Sequence, residues 1–158
     1  MEILDLYNKN GEKLNKTIIR GEKIDENEYI KLTVVYIKCG DYYLIQKCSK
    51  EKGGVYAFTG GHVSSGNSSL VQACIEVKEE LGLDLDAKKL KFLGNIYRKS
   101  AIFDIYLYED NNLKTYDFKL QTQEVESVHW LTKTEIEELI DKGLVRESSC
   151  QHYSKFIK

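Results

Sequence analysis

The chain has no proline, so rigid Pro-rich linkers are excluded, and with no repeat and no low-complexity segment its 158 residues read as one domain, 1–158. Arginine is almost as scarce. Of 23 basic residues only Arg20, Arg98 and Arg146 are arginine, which leaves few bidentate guanidinium clamps, so a phosphate would mostly meet metal or lysine. No basic stripe is present either. A net charge of −2 and a pI near 6.0 give no electrostatic reason to expect a polynucleotide partner. No apolar run is long enough to cross a bilayer, and Met1-Glu2-Ile3-Leu4-Asp5 lacks the basic-then-apolar layout of a secretory signal, so the expectation is a cytoplasmic protein without a membrane partner. The cysteines Cys39, Cys48, Cys74 and Cys150 are far apart. Without a Cys-x-x-Cys pair, neither a zinc knuckle nor a redox dithiol is signalled, and reduced thiols are expected, Cys74 in the core.

What remains is 42% hydrophobic, enough for a packed core in a chain of this size, with a homodimer as the commonest assembly. Residues 2–7 read as a first strand, Asn8 to Gly11 as a turn and Arg20 to Asn27 as an extended polar connection. Thr33 to Ile37 is a β-branched and aromatic run that Gly40-Asp41 turns back into Tyr42–Gln46, a hairpin. Val55 to Phe58 reads as a short strand leading to a Gly60-Gly61 turn, whose missing Cβ atoms would let backbone approach a metal or phosphate. Further strands fall near Leu90–Tyr97, Ala101–Tyr108 and Val125–Trp130. A helix from Lys133 to Lys142 is opened by Thr132 with Glu135 as a capping box and closed at Gly143. The fold class is α+β, a mixed sheet between helices in an α/β/α sandwich, with residues 1–28 as an N-terminal extension and 143–158 as a tail.

Between the Gly pair and Gly82 lies a helix capped by Asn67 or Ser68. At about 100° per residue, Glu76, Glu79 and Glu80 share one arc, while Leu70, Ala73, Cys74, Val77 and Leu81 recur on the neighbouring one. Carboxylates three and four residues apart near a helix C-terminus repel one another, and a bound cation reverses that sign. Hard oxygen ligands suit Mg²⁺ or Mn²⁺, and Mg²⁺ takes one or two carboxylates and completes its shell with waters and substrate phosphates. Alone, Glu79-Glu80-Leu81-Gly82 describes a solvated face ending in a cap. The upstream Gly60-Gly61 makes it a candidate diphosphate site.

This stretch resembles the Nudix hydrolase family, whose box runs Gly, five residues, Glu, seven residues, then Arg-Glu-hydrophobic-x-Glu-Glu-x-Gly-hydrophobic. Counted from Gly61, seven of nine fixed positions agree, including Glu76, Val77, Glu79, Glu80, Gly82 and Leu83. The departures are Asn67 for Glu and Ile75 for Arg, which in the family look like an ion pair that braces the metal-binding carboxylates. Glu2 to Tyr7, Asn10-Gly11 and Arg20-Gly21-Glu22 are similar to the N-terminal extension of the branch related to isopentenyl-diphosphate isomerase. So is Leu44-Ile45-Gln46-Lys47-Cys48-Ser49, with Cys48 where that branch has Arg, and so are Gln123-Glu124-Val125 and His129-Trp130-Leu131. The resemblance covers residues 1 to 142.

It implies a Mg²⁺- or Mn²⁺-dependent hydrolase of diphosphate linkages in a small molecule such as a nucleoside diphosphate derivative. Glu76, Glu79, Glu80, Glu124 and the carbonyl of Gly60 would be the metal ligands, with Glu79 or Glu124 as the base. Lys47, Tyr56, Gly61 and His62 are the candidate substrate contacts, Lys47 as a substitute for the arginine missing at Cys48. The alternative is a catalytically silent ligand-binding protein, motivated by Asn67, Ile75 and Cys48. An isomerase ranks third, because no cysteine stands within Phe58-Thr59-Gly60-Gly61-His62 to protonate a substrate.

Overall fold

The computed structural model describes residues 1–158. A mixed seven-stranded sheet lies between helices, as the patterning predicts. Its centre is β3 (Ile30–Cys39), flanked by β1 (Ile3–Tyr7) and β2 (Lys13–Ile19) before it in sequence and followed by β4 (Tyr42–Cys48), β5 (Tyr56–Ala57) and β6 (Thr59–His62). The chain continues through α1 (Ser69–Leu81), β7 (Lys91–Arg98), β8 (Ala101–Glu109), β9 (Val125–Leu131), α2 (Lys133–Asp141) and α3 (Glu147–Phe156).

β3 pairs in parallel with β8 from Ile30 opposite Ala101 to Lys38 opposite Glu109. On its other edge it holds β6 at Leu32–Val35 and meets β4 only at the hairpin end. β4 pairs instead with β9 and β5, so the sheet parts between β3 and β4 near Gln46. Because β3 is covered on both faces, it reads as a continuous apolar run rather than an alternating one. Val35 and Ile37 pack with Leu44, Tyr106 and Tyr108 against Ala73, Val77 and Leu81 of α1. Val34 and Tyr36 pack on the other face with Phe58, Ile105, Ile136 of α2, Tyr153 of α3 and Ile157 just after it.

α1 is capped by Ser68, whose hydroxyl accepts from Val71 N, and stopped by Gly82 at φ 70°. The capping box of Thr132 and Glu135 is formed. Cys39 and Cys48 are the buried cysteines, whereas Cys74 is half-buried at the edge of the α1 core. No helix is long and apolar enough to cross a membrane.

Two sequence expectations change, and one unassigned stretch gains a strand. The polar stretch after Gly11 is strand β2, which pairs with β1 in a hairpin half open to solvent. Gly60-Gly61 is not a turn but part of β6, opposite Val34 and Thr33. The tail contains α3, ten residues long, which packs on the sheet and reaches the site.

Candidate active site

Where the sheet parts, two adjoining cavities of about 260 and 250 Å³ form one groove. Both halves are bounded by Arg20, Lys52, Gly60, Gly61, His62, Glu80 and Glu124. One half adds Glu2, Glu76, Glu79 and Gln121 and has no hydrophobic lining residue. The other has Leu32, Val34, Phe58 and Phe103 as its apolar surface and Arg146, Ser148, Ser149 and His152 as a wall supplied by α3 and the residue that starts it.

α1 aims Glu76 and Glu80 into the acidic half, while Glu79 stands exposed at the rim. Glu80 is only 7% exposed. Burial pushes its carboxyl up to about 8, with the neighbouring Glu76 adding to the rise, and burial raises Glu76 as well. Each carboxylate is held by a glutamine. Gln46 Nε2 donates to Glu80 Oε1 at 3.0 Å, and Gln72 Nε2 to Glu76 Oε1 at 2.9 Å. The glutamine oxygens are held in turn. Thr59 Oγ1 donates to Gln46, while Ser64 N and Asn67 Nδ2 donate to Gln72.

Gly60 and Gly61 are required by contact rather than by turn geometry. A Cβ on Gly60 would strike the Thr33 carbonyl, and one on Gly61 would lie 2.5 Å from Glu76 Oε1. His62, half-buried, borders both halves, its imidazole pushed toward neutrality by burial and by Arg20. Glu124 carries the salt bridge to Lys52, 3.5 Å long.

Two expected contacts lie elsewhere. Alternate residues of a strand face opposite ways, so Gln46 and Cys48 enter the groove while Lys47 turns away and pairs with Glu126 at 3.2 Å. Tyr56 packs its ring on His129, outside the groove, and its backbone holds Leu144 and Arg146. The arginine missing at Cys48 is matched in space by Arg146, whose Nη2 reaches Cys48 Sγ at 3.4 Å. Sequence reasoning also passed over Gln46, Gln72, Lys52, Ser149 and His152. Gln72 carried a signal, since it precedes Glu76 by four residues and so shares its helix face.

The N-terminal hairpin closes the acidic half. Glu2 pairs with Arg20 at 3.0 Å and accepts from Ser64 Oγ, and Asp5 accepts from Ser65 Oγ and Gly66 N. Among His, Cys, Asp and Glu side chains no three converge into a closed metal cage. The donors present, the buried Glu80 and half-buried Glu76 carboxylates in a wholly polar cavity, fit an ion such as Mg²⁺ or Mn²⁺ that keeps waters and substrate oxygens in its shell.

Comparison with known proteins agrees with this geometry. The family model described as NUDIX domain matches residues 32–149. An uncharacterized Nudix hydrolase of Listeria innocua is 37% identical over 148 residues, covering 90% of this chain and 87% of its own. Among solved structures, one from Deinococcus radiodurans matches with a TM-score of 0.80 at 18% identity, over 99% of this chain and 100% of that one. The bifunctional NMN adenylyltransferase/ADP ribose pyrophosphatase of Francisella tularensis, complexed with AMP and Mn ion, matches with a TM-score of 0.64 at 14% identity, over 80% of this chain and 40% of that one. An α+β sandwich with a carboxylate-lined groove between its central strands thus defines the class, and the chain belongs to the Nudix hydrolase family.

Proposed function

We propose that the protein is a metal-dependent hydrolase of diphosphate linkages in small molecules, nucleoside diphosphate derivatives among them. The observation that carries this reading is the groove itself, in which Glu76 and Glu80 face a cavity bordered by Arg20, Lys52 and, beyond Cys48, Arg146. The Francisella tularensis neighbour, with AMP and Mn ion in its complex, supports both the ligand class and the metal.

In this reading Glu76, Glu80 and the Gly60 carbonyl hold Mg²⁺ or Mn²⁺. When bound, the ion neutralises charge on the diphosphate and makes an attacking water more acidic. Glu79 at the rim, or Glu124 across the groove, takes the proton from that water. The water oxygen bonds to phosphorus, the bridging P–O bond breaks, and its electron pair leaves with the second phosphate. Arg146 and Lys52 bind phosphate oxygens, and the organic group lies against Phe58, Phe103 and Leu32. Leucine and phenylalanine walls grip by shape and area rather than by hydrogen bonds.

The test is phosphate or monophosphate release from a panel of nucleoside and non-nucleoside diphosphates with Mg²⁺ or Mn²⁺, run beside Glu80→Gln. Metal-dependent turnover that falls by about two orders of magnitude or more in the variant is expected. No release from any compound by a protein that binds Mn²⁺ would establish the ligand-binding alternative instead.

A further inference from the structure

Gln72 and Gln46 are 4% and 6% exposed, and a buried amide is costly unless its polar atoms are paired. In both, one end is fixed by the fold and the other grips a carboxylate. For Gln72 the orientation is settled by chemistry: Ser64 N is a backbone donor, so the atom facing it is the oxygen and the NH₂ must face Glu76. Gln46 repeats the arrangement from the other side of the groove, between the Thr59 hydroxyl and Glu80.

We propose that Gln72 and Gln46 are positioning residues that hold Glu76 and Glu80 by one oxygen each and present the pair to a divalent cation. In both carboxylates Oε1 is engaged by a glutamine, and the two carboxyls also contact each other, so the glutamines set the orientation in which the pair faces the groove. A lysine or arginine in the same place would hold the oxygen as well, but would cancel part of the charge that draws the cation. An amide orients without cancelling. The positions where the family pattern has Glu and Arg are uncharged here, Asn67 and Ile75, and Asn67 now serves by donating to Gln72 at 2.9 Å. The clamp therefore contains no ion pair of its own.

This inference rests on the metal-dependent reading of the site, and a double-mutant cycle on metal-free protein separates the two. Mn²⁺ binding is read from the paramagnetic resonance of free Mn²⁺ for wild type, Gln72→Leu, Glu76→Gln and the double variant. We expect Gln72→Leu to weaken binding about tenfold, and the double variant to bind as Glu76→Gln does, because position 72 then has no carboxylate to orient. Losses that multiply would assign Gln72 to loop packing and overturn the proposal, as would a Gln72→Leu protein that binds Mn²⁺ like wild type. Wild type itself offers a second measurement should the variant not fold. The Gln72 side-chain amide resonances shift on Mg²⁺ titration if the clamp is real, and unmoved resonances refute it. Wild-type protein that binds no Mn²⁺ removes the metal-dependent reading and this inference together. Wild type that binds Mn²⁺ and turns over diphosphates, beside an unaffected Gln72→Leu, removes only the inference.

Discussion

Two adjacent glycines in one strand meet different neighbours, and the difference is measurable. Gly60 lies over the Thr33 carbonyl, which belongs to the central strand of the sheet and cannot retreat, while Gly61 lies over the Glu76 carboxylate, the end of a flexible side chain. Gly60→Ala therefore acts on the fold. We expect it to cost about 2 kcal/mol, a fall in Tm of roughly 4–8 °C for a chain of this length, read by thermal denaturation. Gly61→Ala acts on the site. The new methyl displaces Glu76 from Gln72 and from the groove, so metal affinity should fall about tenfold, with a smaller change in Tm than in Gly60→Ala. Equal losses of Tm and unchanged Mn²⁺ affinity in the two variants would disprove the distinction. Sequence reasoning sees that two consecutive glycines matter but assigns them to a turn; their use as contact points depends on which atoms lie across from them, and that is set by strand pairing.

At the scale of elements, α3 is the part of the molecule that the sequence concealed. Ser149, His152, Tyr153, Phe156 and Ile157 recur at helical spacing, but the first two members of that stripe are polar, and the hydrophobic signal that revealed α1 and α2 is diluted. Strand β2 was missed for a related reason: Lys13-Leu14-Asn15-Lys16-Thr17-Ile18-Ile19 has a largely exposed surface, so no buried face marks it. The central strands, α1 and α2 were legible because each has a buried apolar side and a capping residue in the chain itself. The carboxylates of α1 were legible from spacing, whereas Arg146 and Lys52 join the site only through tertiary placement. Arg146 is the N-cap of α3, held by the bond from its N–H to the Tyr56 carbonyl. This fixes the guanidinium over Cys48 with no carboxylate partner among the salt bridges of the protein. If it binds phosphate, Arg146→Ala should raise KM about tenfold or more with a smaller effect on kcat, and Arg146→Lys should recover part of the loss. Steady-state kinetics on whichever diphosphate proves to be a substrate decides this, and an unchanged KM in Arg146→Ala would remove the residue from the binding surface.

Taken whole, the second face of the sheet, packed through Tyr36, Phe58, Ile136, Tyr153 and Ile157, also buries one imidazole. His152 is 1% exposed, lies among Tyr36, Phe58 and Phe103, and its Nδ1 shares a hydrogen bond with the Tyr36 hydroxyl, whose own pKa is raised well above the usual range by burial. Burial alone depresses the imidazole to about 3, so the folded protein keeps it neutral. The unfolded chain takes up a proton near pH 6.5. Below that value the unfolded state binds more protons than the native one, and stability falls as pH falls; above it neither state is protonated at this residue and its contribution is complete. The loss runs from pH 6.5 down to about 3. Between pH 7 and pH 5 it is on the order of 2 kcal/mol at 1.36 kcal/mol per unit. Glu80, whose carboxyl burial pushes up to about 8, takes its proton earlier in the folded protein than in the unfolded chain and opposes this loss over the same window; by denaturant unfolding, wild type should therefore lose about 2 kcal/mol relative to His152→Asn, which cannot titrate, between pH 7 and pH 5, even though the variant is the less stable protein at pH 7. A stability difference between the two proteins that stayed the same at both pH values would place the acid response in the carboxylates rather than under α3. That outcome would leave the buried face of the helix indifferent to pH, with acid unfolding then expected to begin at the N-terminal hairpin, where Asp5, its carboxyl held below the usual range by bonds from Gly66 and Ser65, ties the chain to the loop ahead of α1.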